Sequence, residues 1–429
     1  MLTPLSIVLA GGANSRFWPL REKSLLSMLG QTLLRRHLIA LHEAGIDRGI
    51  IVATPENAEQ LAAEAVSAGG PAMRVVVQGE PRGMGDAILT ALRAERDPEA
   101  QPLLVTQVHD VFGGALLSRV VDTFRRDPSR SYLAAYKTRA YFPGGYFALD
   151  GERATGLIEK PGAGREPSDL VSIVVRLHRD PVGLLRALEA AYAAGGPDDH
   201  YERAITVQMR AHEHAVVVHD GAWAAIKYPW HVLDVADMLL GQLGAPSVAA
   251  DCRIDPRASI QGPVHIEPGA RLFAGARVVG PAYVGRDAII GNNALVRHSC
   301  VEARCVVGFG SEVARSYVGP DCWFHTNYVG DSVIGPGSRF GAGAVTANLR
   351  QDHRTVRSVV RGERIDTGRD KLGLICGASA SFGVQAATMP GVKVGTGSIV
   401  GPGIVLYRDV PDGRRLLLRQ EVDDRPVSP

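Results

Sequence analysis

The chain has little of what would mark a secreted, membrane-spanning or nucleic-acid-coating protein. Cysteine is scarce, with five in 429 residues, and none occurs before Cys252; the others are Cys300, Cys305, Cys322 and Cys376. The number is odd and the spacings fit no zinc pattern, which argues against a disulfide framework and for small core thiols in a reduced compartment. No charge of one sign prevails: 47 basic and 45 acidic residues leave a net charge of +2, which removes a global electrostatic case for nucleic acid or a membrane surface. No apolar run approaches the ~20 residues of a bilayer-spanning helix. The N-terminus lacks the basic start and long apolar core of a secretory leader. A cytoplasmic protein with neither nucleic acid nor membrane as partner is expected. What is present is ordinary for a soluble globular chain, 45% hydrophobic and 21% charged, with length for two or three domains.

Two sequence grammars divide it. Up to about residue 240, short apolar runs rich in β-branched residues alternate with helical patterns. The runs are 6–10 (SIVLA), 49–54 (GIIVAT), 74–79 (RVVVQG), 103–108 (LLVTQV) and 132–137 (YLAAYK). Leu33, Leu34, Leu38, Leu41 and Ala44 form one helical stripe over 32–45. Strand–helix–strand alternation predicts an α/β domain with a mostly parallel sheet covered on both faces, binding ligands beyond the carboxyl ends of its strands. From 251 onward the period becomes six: Ile254, Ile260, Ile266, Leu272, Val278, Val284, Ile290 and Val296. Such a hexapeptide repeat predicts an all-β parallel β-helix whose aliphatic side chains stack in a narrow core. The register slips at 297–300, returns through Val318, Val329 and Ile334, and resumes at Val394, Val400 and Leu406. The expected division is 1–245, then 250–412 with a basic inserted loop at 347–371, then a poorly ordered tail at 413–429.

The first apolar run ends in LAGGANSRFWPLREKSLL, residues 9–26. Gly11 and Gly12 let backbone amides approach a ligand, and amides exposed in a tight turn make an anion-binding concavity. Ser15 adds a hydroxyl, Arg16 a planar fork suited to phosphate, and Lys23 a compact positive charge. Neither a Walker loop nor a dinucleotide fingerprint is present. A plain strand-to-helix turn with solvated cations is the competing reading. Three further stretches favour a phosphate ligand. A second glycine-rich turn follows Gln78, which can read a base edge. Asp110 ends another apolar run, where a carboxylate can hold Mg²⁺ together with substrate phosphates. Glu159 and Lys160 stand together after a fourth.

Taken in order, these stretches resemble the sugar-1-phosphate nucleotidyltransferase family over roughly residues 5–240. The resemblance implies a Rossmann-like domain in which Ala10, Gly11, Gly12 and Ser15 hold the nucleoside triphosphate, with Arg16 and Lys23 as catalytic cations. It implies that Gln78, Gly83, Gly85 and Asp86 read the base, that Asp110 binds Mg²⁺, and that Glu159, Lys160 and Ser172 contact the sugar 1-phosphate. A sugar-phosphate oxygen would attack the α-phosphorus and pyrophosphate would leave, chemistry that rests on positioning and charge neutralisation. The chain departs from the family pattern at Asn14, His109, Ser172 and Val174. It also departs at Ala225, where a second metal-binding Asp or Asn is expected.

The stretch 324–411 is similar to the acetyltransferase half of bifunctional enzymes that acetylate glucosamine 1-phosphate and then transfer uridylyl. That resemblance implies a left-handed β-helix, homotrimers, and acetyl-CoA between neighbouring subunits. It casts His325 as catalytic base, with Tyr328, Arg339 and Asn348 in the acetyltransferase site; Asp331 completes the H-x-x-Y-x-G-D motif. Arg354 and Arg357 of the basic loop are candidates for a phosphate or the CoA diphosphate. A Lys common in relatives is replaced by Ala314, and an Asn by Arg339. The alternative from a different class is a regulatory or scaffolding homologue that binds sugar nucleotides without turnover.

Overall fold

The computed structural model describes residues 3–12, 14–95, 97, 101–151 and 153–425. The chain forms two compact units: one from residues 1–13, 22–26 and 31–225, the other from 14–21, 27–30 and 226–429. Two short N-terminal segments and the helix His231–Leu240 therefore group with the hexapeptide repeats. That helix buries Val232, Leu233, Val235, Ala236, Leu239 and Leu240, and its Asp234 pairs with Arg369 at 2.5 Å. The change of sequence period near 245 marks where secondary structure switches, whereas packing changes some twenty residues earlier.

The first unit is built on a nine-stranded sheet. In order across the sheet the strands are Ala72–Val77, Arg48–Ala53, Leu5–Leu9, Leu103–Gln107, Leu170–His178, Ser131–Lys137, His214–His219, Arg153–Glu159 and Gly145–Asp150. The first four are mutually parallel; Leu170–His178 then runs antiparallel to both its neighbours. The sheet is thus Rossmann-like on one side and mixed on the other, where His214–His219 pairs parallel with Ser131–Lys137 and Gly145–Asp150 forms a hairpin with Arg153–Glu159. Leu5–Leu9 and Leu170–His178 are buried throughout, as expected of strands covered on both faces. Helix Leu33–Glu43 starts where the Thr32 hydroxyl accepts from the Arg35 amide at 3.0 Å, and it buries Leu33, Leu34, Leu38 and Leu41 on one face.

In the second unit three parallel sheets stack two- to three-residue strands into a parallel β-helix. The six-residue ladder becomes three columns: Leu272, Ile290, Val307 and Phe324 in one, Val278, Val296, Val313 and Val329 in the next, and Ile266, Val284, Val301 and Val318 in the third. The slip at 297–300 is a shortened corner. Stacked partners are eighteen residues apart at Val278↔Val296, seventeen at Val296↔Val313 and sixteen at Val313↔Val329. Phe324, Phe340 and Phe382 stack along the axis with ring centroids 5.0 and 4.4 Å apart. Four of the five cysteines are buried, and all five are free thiols.

Residues 347–371 are more than a loop. They carry an antiparallel hairpin, Arg357–Val360 with Glu363–Asp366, while Ile334 still stacks on Cys376 across the insertion. The expected tail also needs correction at its start, because Arg415–Leu416 pairs with Ile399–Val400 and adds a last strand to the ladder. Among the described residues no helix is long and apolar enough to cross a membrane.

Candidate active site

Three parallel strands of the first unit end at one edge of its sheet, and each leads into an expected ligand-binding stretch. Leu5–Leu9 leads to Ala10, Gly11 and Gly12; Ala72–Val77 leads to Gln78; Leu103–Gln107 leads to Asp110. Gly12 has φ +137°, a region where a side chain is strained. Lys23 is drawn to the same turn by its neighbours. The Ser24 hydroxyl donates to the Ala10 carbonyl at 3.4 Å, and buried Asn57 donates to both that carbonyl at 3.4 Å and the Glu22 carboxylate at 2.9 Å.

The second turn is ordered from within. Gln78 is buried, and its amide nitrogen donates to the Asp86 carboxylate at 2.7 Å and to the Gly83 carbonyl at 3.4 Å. The Gln78 amide expected to face a base is instead turned onto Asp86, because a nearly buried carboxylate needs donors. Arg82 supplies the other, at 3.0 Å. Gly83 has φ +94°, where a side chain is strained, and a β-carbon there would lie 2.0 Å from Asp198 Oδ1, which would have to move; one at Gly85 would lie 3.0 Å from the Tyr192 ring.

Asp110 is buried, and its Oδ2 accepts from the Val174 amide at 2.9 Å. That amide is aimed by a bulge: between Ser172↔Ala135 and Arg176↔Leu133 the strand Leu170–His178 carries extra residues. Directly across the short ladder from Asp110 stands Ala225. The position where a second carboxylate would share a cation therefore holds a methyl group, and among the described residues no cluster of three acidic, His or Cys side chains could hold a metal. Asp110 fits Mg²⁺ carried by one carboxylate plus phosphate oxygens and water.

Beneath this strand lies a buried ion pair. The Arg176 guanidinium bonds the Glu202 carboxylate at 3.3 Å and the Ser172 hydroxyl at 3.2 Å, and sits 4.6 Å over the Tyr201 ring. Burial pushes the Glu202 carboxyl up; Arg176 opposes this, and Glu159 adds to it. Glu159 itself holds Lys160 at 2.5 Å. Ser172 is thereby fixed from below.

Ser15 and Arg16 fall in the second unit, on the segment Asn14–Arg21. This segment is pinned at its far end. Trp18 Nε1 and the Arg21 guanidinium each donate to Asp412 at 3.0 Å, and Lys393 Nζ lies 4.7 Å over the Trp18 ring. The Pro19 carbonyl lies so close to Gly377 that a β-carbon there would stand 2.7 Å away. Both Ser15 and Arg16 are exposed.

Two of the acetyltransferase candidates, Tyr328 and Asn348, meet in that unit, together with Asp331. His325 is exposed on a pinned backbone: its amide donates to Asn327 Oδ1 at 2.7 Å and its carbonyl accepts from Ser311 at 3.0 Å. Asn348 donates to Tyr328 Oη at 3.2 Å and to Asp331 at 2.5 Å, and Arg315 grips both Asp331 oxygens at 2.8 and 2.7 Å. The Asp331 carboxylate keeps the Arg315 guanidinium firmly charged. Arg339 is exposed beside Trp323 on the neighbouring strand.

Sequence reasoning missed Arg176, Arg315 and Asp412. A lone Arg inside the apolar run LVSIVVRLH was a usable signal for Arg176. Arg315 follows Ala314 directly, so the cation missing at one position is present at the next.

Residues 6–253 match the model of the MobA-like NTP transferase domain, more than half of the chain. The chain belongs to that family. Two relatives extend the likeness over nearly the whole of this NTP transferase-family chain. A bifunctional sugar-1-phosphate nucleotidylyltransferase/acetyltransferase of Sulfurisphaera tokodaii is 28% identical over 95% of this chain and 98% of its own length. The bifunctional protein GlmU of Methanocaldococcus jannaschii is 29% identical over 99% and 100%. Among solved structures, a UDP-glucose pyrophosphorylase complexed with UDP-glucose is 16% identical and covers 56% of this chain and 100% of its own, with a TM-score of 0.48.

Proposed function

We propose that the first reaction is transfer of a nucleoside monophosphate from a nucleoside triphosphate to a sugar 1-phosphate. The observation that carries this reading is the placement of Asp110 at the same sheet edge as the Gly11–Gly12 turn, in a chain of the NTP transferase family. The Gly11 and Gly12 amides hold the triphosphate, and Arg16 and Lys23 neutralise charge on the transferring group and on pyrophosphate. Gln78 and Asp86 order the Gly83–Gly85 turn against the base. Glu159, Lys160 and Ser172 seat the sugar phosphate so that its oxygen attacks the α-phosphorus while the bond to pyrophosphate breaks. Asp110 would hold Mg²⁺, which supplies charge stabilisation on the phosphate oxygens.

The second reaction is acetylation of an amino-sugar phosphate by acetyl-CoA. His325 takes the proton of the amine as nitrogen attacks the thioester carbonyl and CoA departs as the thiol. Asn348, held by Tyr328 and Asp331, orients the acceptor, and Arg339 adds charge. Exposed Phe309, Trp323, Val384 and Tyr407 on the β-helix support assembly as a homotrimer with shared acetyl sites; light scattering at a monomer mass would remove that assembly.

Ala225 and Ala314 favour a second reading, a homologue that binds sugar nucleotides without turnover. One assay separates the two: pyrophosphate release from Mg²⁺, the common nucleoside triphosphates and a panel of sugar 1-phosphates. Release that falls about a hundredfold in Lys23→Ala, on the scale of a lost charge-stabilising group, supports transfer. No release with any pair, while the ligands still raise the melting temperature, supports the binding homologue. In parallel, CoA release from acetyl-CoA and glucosamine 1-phosphate should fall about a hundredfold or more in His325→Ala; an unchanged rate removes His325 as base.

A further inference from the structure

The same polar clasp stands at two corners of the β-helix, and among the described residues only one of the two carries a third side chain. At the first, Arg304 donates to both oxygens of Asp321 in the next coil, at 2.6 and 2.7 Å. At the second, Arg315 donates in the same way to both oxygens of Asp331, at 2.8 and 2.7 Å. All four residues have positive φ, between 48° and 64°. Their surroundings differ. The Asp321 side chain is 49% exposed and that of Asp331 only 6%. An exposed pair contributes little, whereas a buried carboxylate needs its charge matched and its lone pairs filled. Asp331 completes its set with the Asn348 amide at 2.5 Å.

That third contact decides which end of Asn348 is available. A carboxylate gripped by a guanidinium only accepts, so the amide nitrogen has to face Asp331. The same nitrogen donates to Tyr328 Oη at 3.2 Å. Gly330 lies against both groups: a β-carbon there would stand 2.6 Å from Tyr328 Oη and 2.7 Å from Asn348 Nδ2. The backbone is held as well, since the Leu372 amide donates to the Asn348 carbonyl at 2.9 Å and the Gly373 amide to the Asp331 carbonyl at 2.8 Å. Both N–H groups of the Asn348 side chain are thus used, while its Oδ1 accepts no hydrogen bond among the described residues. A half-buried acceptor held in one orientation suits a ligand that brings an N–H or O–H.

We propose that Arg315 is a positioning residue of the amino-sugar seat: by holding Asp331 it turns the Asn348 amide so that its oxygen meets an N–H of the acceptor. The proposal rests on the reading of Asn348 as the residue that orients the acetyl acceptor. Without Arg315, Asp331 is a buried charge with one neutral donor, and Asn348 loses the support that sets its direction. The guanidinium acts through Asp331 and Asn348 and not on a substrate phosphate.

The test uses the full-length protein, calorimetry with glucosamine 1-phosphate, and CoA release. Arg315→Ala should bind glucosamine 1-phosphate about tenfold more weakly, the equivalent of ~1.4 kcal/mol, and Asn348→Ala should lose a similar factor. The double variant should also lose about tenfold, because residues that act through one contact are not additive. Arg315→Lys should recover part of the loss, and Arg304→Ala, which removes the other clasp, should bind as the wild type does. Arg315→Gln carries the same cycle should the alanine variant not fold. In turnover, the KM for glucosamine 1-phosphate should rise with the KM for acetyl-CoA unchanged. A loss of about a hundredfold in the double variant overturns the proposal, since Arg315 would then act independently of Asn348. So does unchanged affinity in Arg315→Ala, or an equal loss in Arg304→Ala, which would report only the stability of the coil. A wild type that binds glucosamine 1-phosphate in an Arg315-dependent way but releases no CoA overturns acetyl transfer and leaves the proposal standing. A wild type that binds no glucosamine 1-phosphate overturns both.

Discussion

Asp110→Asn is expected to lower pyrophosphate release about a thousandfold, the upper range for removing one group that stabilises developing charge. The substitution is a clean one. Asparagine keeps an oxygen for the Val174 amide, which now bonds Asp110 at 2.9 Å, so the bulged strand has no reason to move. What is lost is the carboxylate proposed to hold Mg²⁺. The companion variant is Ala225→Asp. Ala225 is the cross-strand partner of Asp110, and such partners have β-carbons about 5 Å apart, within reach of a shared ion. The added carboxylate should lower the Mg²⁺ concentration for half-maximal release about tenfold, the equivalent of ~1.4 kcal/mol. Retained activity in Asp110→Asn, or an unchanged Mg²⁺ dependence in Ala225→Asp, would mean that the metal sits elsewhere.

Arg176→Ala should destabilise the first unit by about 3–5 kcal/mol, because breaking a buried ion pair strands the remaining charge. Side chains of Arg176 and Glu202 are only 2% and 4% exposed. The pH dependence carries the diagnosis. Burial already pushes the Glu202 carboxyl up, with Arg176 pulling against it; without Arg176 the folded protein holds the Glu202 proton more tightly still. A folded state that binds more protons than the unfolded one loses stability as pH rises. Urea midpoints should therefore show a smaller loss for Arg176→Ala near pH 5 than near pH 8. Arg176→Met with Glu202→Leu should be milder than Arg176→Ala alone at the higher pH. A loss independent of pH would assign Arg176 to packing and leave Glu202 out.

Much of the architecture was legible because it is periodic. The apolar runs become strands within a residue or two, and all eight positions from Ile254 to Val296 lie on the β-helix columns. Tyr328, Asp331 and Asn348, singled out from sequence, do meet through the Asn348 amide. What escaped depends on distance along the chain. Trp18 meets Asp412, Ser15 meets Arg361, and Arg176 meets Glu202; no local pattern encodes such partners. Gln78 escaped for a different reason. Its residue type allows base reading, but only the fold shows Asp86 claiming its amide. Likewise the spacing after Val296 looked like lost register, when only the corners had shortened.

Those corners explain how this chain can carry an arm at all. Each coil of the solenoid is aligned by the strands above and below it, so the count of residues between strands is never consulted. Shortened corners take up the difference through backbone that L-residues such as His298, Arg315 and Asp331 adopt at positive φ. A coil can therefore drop two residues, or gain a whole hairpin, and the next coil still lands in place. Interfaces between strands stay frozen while the bends are open to grafting, which is how a scaffold of identical rungs acquires one finger at one height.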